Sequence, residues 1–154
     1  MILGRRLGLT GDRLRDIRIG ALLHDLGKLG VPNTILDKPA GLDPDEWAVI
    51  KRHPQLSRDI LRQIELFTAV AEIAACHHER LDGKGYFRGL TAESLGLSAR
   101  IVAVADVFEA MTSERPYRPA MTQERALAIM RKSSGDHLAA EVIAALADVD
   151  SIAA

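Results

Sequence analysis

Ser98-Ala99-Arg100-Ile101-Val102-Ala103-Val104-Ala105-Asp106-Val107-Phe108-Glu109-Ala110-Met111 is the stretch on which the fold class turns. The apolar run Ile101 to Ala105 suits a buried strand or a buried helix equally, because so short a run has no period of its own. It continues past Asp106 through Val107, Phe108, Ala110 and Met111 without a turn residue, and that length selects a buried helix. Asp106 then stands inside an apolar helix, where a carboxylate without a partner is costly. Two partners are open at this point: an arginine, Arg100 or Arg115, or a metal ion.

Working outward, the same reading yields helices on both sides. Downstream, Thr122 to Ser133 is capped by Thr122 and stopped near Gly135, and a last helix runs from Asp136 to about Val149. Upstream, Thr68 opens the segment Ala69 to Cys76, which delivers His77-His78-Glu79 and then the glycine-punctuated loop Asp82 to Gly89. Asp43-Pro44-Asp45-Glu46 starts a helix, with Asp43 as N-cap, Pro44 at the first helical position and Glu46 reaching back to the cap. That helix runs into Lys51-Arg52-His53, and Pro54 places His53 at the junction to a second helix, Gln55 to Ile64. Nearest the N-terminus, Asp12 to Gly27 is amphipathic, followed by a structured loop over Lys28 to Leu42 with one helical turn. No period-two alternation persists, and neither an Asn-Gly turn nor an internal repeat occurs. The pattern predicts an all-α bundle of about six or seven helices.

The chain has 154 residues, 47% of them apolar and 27% charged, which fits one globular domain over 1–154 with its own core. Lys and Arg total 20 against 21 Asp and Glu, so no basic field exists for DNA. Aromatic residues at 4% are too sparse for a single-strand stacking platform. The single cysteine, Cys76, forms no internal disulfide and suits a reducing cytoplasm. No stretch reaches the roughly 18 unbroken apolar residues of a membrane span, so membrane insertion is not expected and a cytoplasmic location is.

Four of the five histidines fall into three polar clusters in apolar surroundings: His24-Asp25, His53 and His77-His78. With Asp106 they offer imidazole and carboxylate donors that suit Fe, Mn or Zn, and a carboxylate can bridge two ions. Helix neighbours project about 100° apart, so each adjacent pair sits at a helix end or serves two metals. A multinuclear site follows. The plain alternative for His53 is a helix-end cap, and His137, beside Asp136 at a helix start, receives only that plain reading. Lys28 follows Asp25 by three residues and returns to the same face, within reach of a phosphate oxygen or leaving group. Arg115 and Arg118 flank Pro116-Tyr117 and suit bidentate phosphate recognition, with ordinary surface cations as the alternative. The glycines around Tyr86 permit close approach to a ligand, or make a simple connecting loop. Together these features fit phosphoester hydrolysis by in-line attack of a metal-bound water or hydroxide. No Ser-His-Asp triad or Walker loop competes with that reading.

Leu22-Leu23-His24-Asp25-Leu26-Gly27-Lys28-Leu29-Gly30-Val31-Pro32, Lys38-Pro39, His53, His77-His78-Glu79-Arg80-Leu81-Asp82-Gly83-Lys84-Gly85-Tyr86, Ala105-Asp106-Val107-Phe108 and Arg115-Pro116-Tyr117-Arg118 occur in register. Over about residues 10–147 the chain resembles the HD-GYP domain, a branch of the HD metal-dependent phosphohydrolases. The resemblance implies an HD-like helical bundle holding two or more divalent ions, iron or manganese before zinc, nickel or magnesium. It implies His24, Asp25, His53, His77, His78 and Asp106 as ligands, with Asp25 bridging. Asp25 and Lys28 would be catalytic, Lys28 near the scissile phosphate, and Tyr86, Arg115 and Arg118 would contact the dinucleotide. The implied substrate is cyclic di-GMP, opened to pGpG or GMP; implied partners are a diguanylate cyclase or receiver domain, or a second copy in a homodimer.

The chain departs from that pattern in three places. Phe87 replaces the proline after the Gly-Tyr pair, which frees φ and predicts a more mobile loop. Glu109 stands where the family usually has Asp. No histidine precedes His24, whereas the family carries one on an earlier helix, of which Met1 to Leu9 would be the tail. The chain is therefore expected to be truncated relative to the family at its N-terminus, or short of one metal's full ligand set. That departure favours a catalytically weak regulatory module binding cyclic dinucleotide or a partner protein. The altered loop leaves open a phosphohydrolase with another nucleotide substrate.

Overall fold

A computed structural model describes residues 1–114 and 119–153, with side chains as far as Val149. In chain order it contains α1 (Ile2–Arg6), α2 (Gly11–Leu23), a 3-10 turn (Leu26–Gly30), α3 (Asn33–Leu36), α4 (Pro44–Ile50) and α5 (His53–Leu61). A second 3-10 turn (Glu65–Phe67), α6 (Thr68–Ala74), α7 (Leu97–Thr112), α8 (Gln123–Lys132) and α9 (Ala140–Ala153) follow. The helices expected from the sequence are α2 and α4 to α9; α3 is the one helical turn expected between Lys28 and Leu42, and α1 falls in the Met1 to Leu9 stretch read as the tail of an earlier helix. Among the described residues only isolated bridges, Asp82 with Thr91 and Ser134 with Leu138, interrupt the all-α character.

Local chemistry sets several boundaries as expected. The Asp43 carboxylate accepts from the amides of Asp45 and Glu46, both at 2.9 Å, while Glu46 accepts from the Asp43 amide at 2.9 Å. Pro44 needs no amide donor at this end, so α4 starts where a capping box and a proline agree. Thr122 accepts from the Arg125 amide and caps α8.

Several boundaries differ: α5 spans His53–Leu61 instead of Gln55 to Ile64, α9 runs on to Ala153, and two further differences have a visible cause. α2 stops at Leu23, before the expected Gly27, because Ser57 of α5 intervenes. Its hydroxyl donates to the His24 carbonyl at 2.6 Å and accepts from the Gly27 amide at 2.7 Å, turning the chain into the 3-10 segment. Gly27 permits that approach, since a Cβ there would lie 2.0 Å from the His53 carbonyl oxygen. α9 starts at Ala140 instead of Asp136, because the carbonyls of Asp136 and His137 accept from the amides of Asp82 and Leu81. His137 is thus in a turn that braces the glycine loop, not at a helix start.

The main core gathers Leu14 and Ile17 of α2, Ile101, Val102 and Val104 of α7, Leu127 and Met130 of α8, and Val142 and Ile143 of α9. A second cluster joins Leu61 of α5 to Val70, Ala71 and Ala74 of α6. The alanines are fully buried, and their small side chains let α6 lie close against α2 and α5. This packing brings the C-terminal ends of α2 and α6, the start of α5 and the middle of α7 to one place. No helix among the described residues is long and apolar enough to cross a membrane.

Candidate metal centre

Three histidines follow helix ends, and each is fixed in the same way. The Nδ1 of His24 donates to the Ala21 carbonyl at 2.8 Å, that of His53 to Ile50 at 2.8 Å, and that of His77 to Ala74 at 2.6 Å. A carbonyl only accepts, so Nδ1 carries the proton in every case and the Nε2 lone pair of a neutral ring points inward. The carbonyls are those a helix leaves unpaired at its C-terminal end. Helix termination therefore aims the rings.

The inward atoms converge on Asp25. Its Oδ1 lies 3.3 Å from His53 Nε2 and 3.8 Å from His77 Nε2, while Oδ2 lies 3.4 Å from His24 Nε2 and 2.6 Å from Lys28 Nζ. His24 Nε2 is also 3.5 Å from Asp106 Oδ1, so the partner of the half-buried Asp106 is a site histidine. Arg100 instead binds the carbonyls of Leu95 and Ala92 and the Glu141 carboxylate, which removes it as that partner. Arg115, the other arginine considered, lies outside the described residues, as does Arg118.

Two features of this arrangement fit a divalent cation. Asp25 Oδ1 is buried and receives no hydrogen bond, because the nearest nitrogens have their protons on the far side of the ring. His53 and His77 bring their Nε2 atoms within 2.9 Å of each other, with both ring protons committed to carbonyls. A buried orphan oxygen beside facing lone pairs is a donor set for a metal. Two triads have ligand atoms within 4.8 Å of one another, His53 with His77 and His78, and His24 with Asp25 and His77.

The electrostatics of His77 and His78 are consistent with that chemistry, whereas His24 is held protonated and would lose its Nε2 proton to a bound ion. Burial, with repulsion from neighbouring imidazoles, pushes His77 down to about 3 and His78 down to about 4, which keeps both in the neutral ligand form. For His24 burial acts downward too, but the Asp106 and Asp25 carboxylates and the Ala21 carbonyl outweigh it and push the ring up to about 10. Burial opposes the ionisation of Asp25, yet its contacts with His24 and Lys28 hold its carboxyl far below the usual carboxylate range.

A cleft of about 540 Å³ opens over the cluster, lined by His24, Asp25, Lys28, His78, Asp106 and Glu109. A second of about 700 Å³ adjoins it across His78, Asp106 and Ala110 and carries Tyr86. The Tyr86 ring lies on His78 with centroids 4.7 Å apart, and burial next to Asp106 and Asp25 pushes its hydroxyl up to about 12. The six residues expected as ligands and the expected Lys28 and Tyr86 are all brought together here. Two further contributors were not singled out by sequence. Ser57 is fully buried and clips the His24 turn to α5; its position one helical turn after His53 was the available signal. Glu79 is buried and accepts from the amides of Arg88 and Leu90, which ties the Tyr86 loop back under the cluster.

The HD domain family matches residues 2–142. The chain is 44% identical over 145 residues to a 3'3'-cGAMP-specific phosphodiesterase 3 of Vibrio cholerae, covering 94% of this chain and 32% of the relative. It is 45% identical over 136 residues to the cyclic di-GMP phosphodiesterase response regulator RpfG of Xanthomonas campestris, covering 87% of this chain and 36% of that protein. The chain thus spans about a third of the length of these curated relatives. Among solved structures, an HDG"Y"P protein of Bdellovibrio bacteriovorus superposes with a TM-score of 0.77 at 22% identity, over 97% of this chain and 48% of the other. A cyclic GMP-AMP specific phosphodiesterase of V. cholerae gives 0.75 at 18% identity, over 97% of this chain and 41% of the other. With that match running almost from end to end, the chain belongs to the HD domain family, and to the HD-GYP type that its motifs resemble.

Proposed function

We propose that this chain is a metal-dependent phosphodiesterase domain that hydrolyses cyclic dinucleotides, cyclic di-GMP to pGpG or GMP in the first instance. The observation that carries the reading is the orphaned, buried Asp25 Oδ1 facing imidazole lone pairs whose ring protons are all committed to helix-end carbonyls. His24, Asp25, His53, His77, His78 and Asp106 would hold two or more divalent ions, iron or manganese by family likeness. The two Asp25 oxygens face different histidines, which suits a bridging role. When bound, such ions polarise phosphoryl oxygens and lower the pKa of water.

The chain's own residues supply the rest. Lys28 holds its ammonium on Asp25 at the floor of the first cleft, where it can turn to a phosphate oxygen or to the departing alkoxide. Tyr86 keeps its proton at neutral pH and so offers a neutral donor and a ring face above His78. The Glu79 carboxylate holds the loop that presents it. Arg115 and Arg118 are proposed as further dinucleotide contacts on sequence grounds. The named relatives act on cyclic di-GMP or on 3'3'-cGAMP, so both belong in the assay.

The test is elemental analysis of anaerobically purified protein beside turnover of both cyclic dinucleotides. Two or more bound ions with product formation is the expected result. Tight cyclic dinucleotide binding without product under iron or manganese would support the regulatory module in its place.

A further inference from the structure

The last turn of α4 reaches the Asp25 cluster twice. The Ile50 carbonyl fixes the His53 ring through its Nδ1. Lys51, the next residue and the C-cap of the helix, holds its ammonium against two aromatic rings, 5.7 Å from the Trp47 centroid and 5.9 Å from that of Tyr86. Trp47 stands one turn earlier, and its carbonyl accepts from the Lys51 amide at 3.0 Å, which puts both side chains on one face of the helix. No carboxylate among the described residues pairs with Lys51, so the ring faces attract the cation without competition from an ion pair.

The backbone of Tyr86 is fixed more firmly than its side chain. Its amide donates to the His78 carbonyl at 3.2 Å, and a Cβ at Gly85 would lie 2.5 Å from the Arg80 amide nitrogen, so the loop lies flat against the turn that carries His78. The ring itself rests on His78 at an interplanar angle of 31°, and no hydrogen bond to a described residue holds its hydroxyl. Ring stacking has no directional bond to stop the phenol from sliding or tilting. The Lys51 ammonium supplies a second contact on that ring.

We infer that Lys51 is a positioning residue: held against Trp47, its ammonium sets where the Tyr86 ring stands over His78, so that α4 orients both the proposed ligand His53 and the proposed dinucleotide contact Tyr86. This rests on the cyclic dinucleotide reading above. The test uses Lys51→Met, Lys51→Arg, Tyr86→Leu and the double variant of Lys51→Met with Tyr86→Leu, each checked by thermal unfolding. Methionine keeps the apolar stem and removes the charge, arginine keeps a cation, and leucine covers His78 without a ring face. One readout is kcat/KM for cyclic di-GMP. The other is the emission of Trp47, the single tryptophan of the chain, excited where tyrosine does not absorb, and it needs no substrate.

Lys51→Met is expected to lower kcat/KM about two- to fivefold, the range of one exposed cation–aromatic contact, with Lys51→Arg near wild type and no further loss when Lys51→Met is added to Tyr86→Leu. Tyr86→Leu should change the Trp47 emission when Lys51 is present and leave it unchanged in the Lys51→Met background. A loss from Lys51→Met that persists beside Tyr86→Leu would mean that Lys51 acts on the substrate or the fold by itself, and would overturn the proposal. So would unchanged turnover, failure of arginine to rescue, or Trp47 emission that ignores Tyr86. Should Tyr86→Leu fail to fold, Trp47→Leu takes its place: it removes the anchor of Lys51 and should lose as much as Lys51→Met, with no added loss in combination. If the wild-type protein turns over no cyclic dinucleotide, the substrate reading fails, and the emission coupling alone decides whether Lys51 positions Tyr86.

Discussion

Asp25 is asked to do two things at once, since one oxygen faces His53 and His77 while the other faces His24 and Lys28. Asp25→Asn preserves its shape but turns one acceptor into a donor. Retained metal after anaerobic purification should fall sharply, and turnover by about 100-fold or more. A variant with a full metal complement would refute bridging. Ser57 makes a different kind of contribution, because its hydroxyl satisfies a buried carbonyl and a buried amide at 2.6 and 2.7 Å. Ser57→Ala leaves both unpaired and should cost about 1–3 kcal/mol in urea unfolding, with an unchanged denaturant slope. The chemistry-bearing residues were legible in the sequence because histidines and aspartates are conspicuous in apolar helices. A serine on a helix is not conspicuous, and its role depends on a backbone thirty or more residues away.

At the scale of elements, boundaries set by local chemistry were legible and boundaries set by a distant neighbour were not. The start of α4 depends on Asp43, Pro44 and Glu46 alone. Asp43→Ala should cost about 1 kcal/mol and leave metal content untouched, which thermal unfolding and elemental analysis would check together. The end of α2 and the start of α9 are fixed by Ser57 and by the amides of Leu81 and Asp82, which no pattern within either helix encodes. Gly27→Ala should accordingly behave unlike the cap variant. Its methyl group would meet the backbone of α5 at His53 and Ser57, so stability should fall by about 1–3 kcal/mol and metal content with it. Normal metal retention in that variant would mean that the 3-10 turn does not set the His24 to His53 spacing.

Across the whole molecule, α5, α6 and the Tyr86 loop are joined by Glu72, which binds Arg58 at 2.7 Å and Arg88 at 3.0 Å. Partial burial pushes this carboxyl upward, but the two guanidiniums outweigh it and hold it below its ordinary value. A carboxylate depressed on folding stabilises the protein above its unfolded pKa, and that stabilisation disappears as pH falls through the folded value. Glu72→Gln should therefore unfold more readily than wild type at pH 7, and the two curves should merge once the pH drops below the carboxylate range. A difference that persists in strong acid would show that the ion pairs are not its source. Half-exposure and salt screening keep the effect modest.

The histidine geometry ties metal chemistry to the ends of helices. Each ring that faces Asp25 also supplies the donor for a carbonyl at the end of α2, α4 or α6. Aspartate, cysteine or glutamate can replace imidazole as a ligand, but none offers a second nitrogen to hold that carbonyl. Exchanging any of these histidines to shift selectivity from one ion to another would also unfasten a helix end, so metal preference in this fold cannot be retuned without altering how its helices stop.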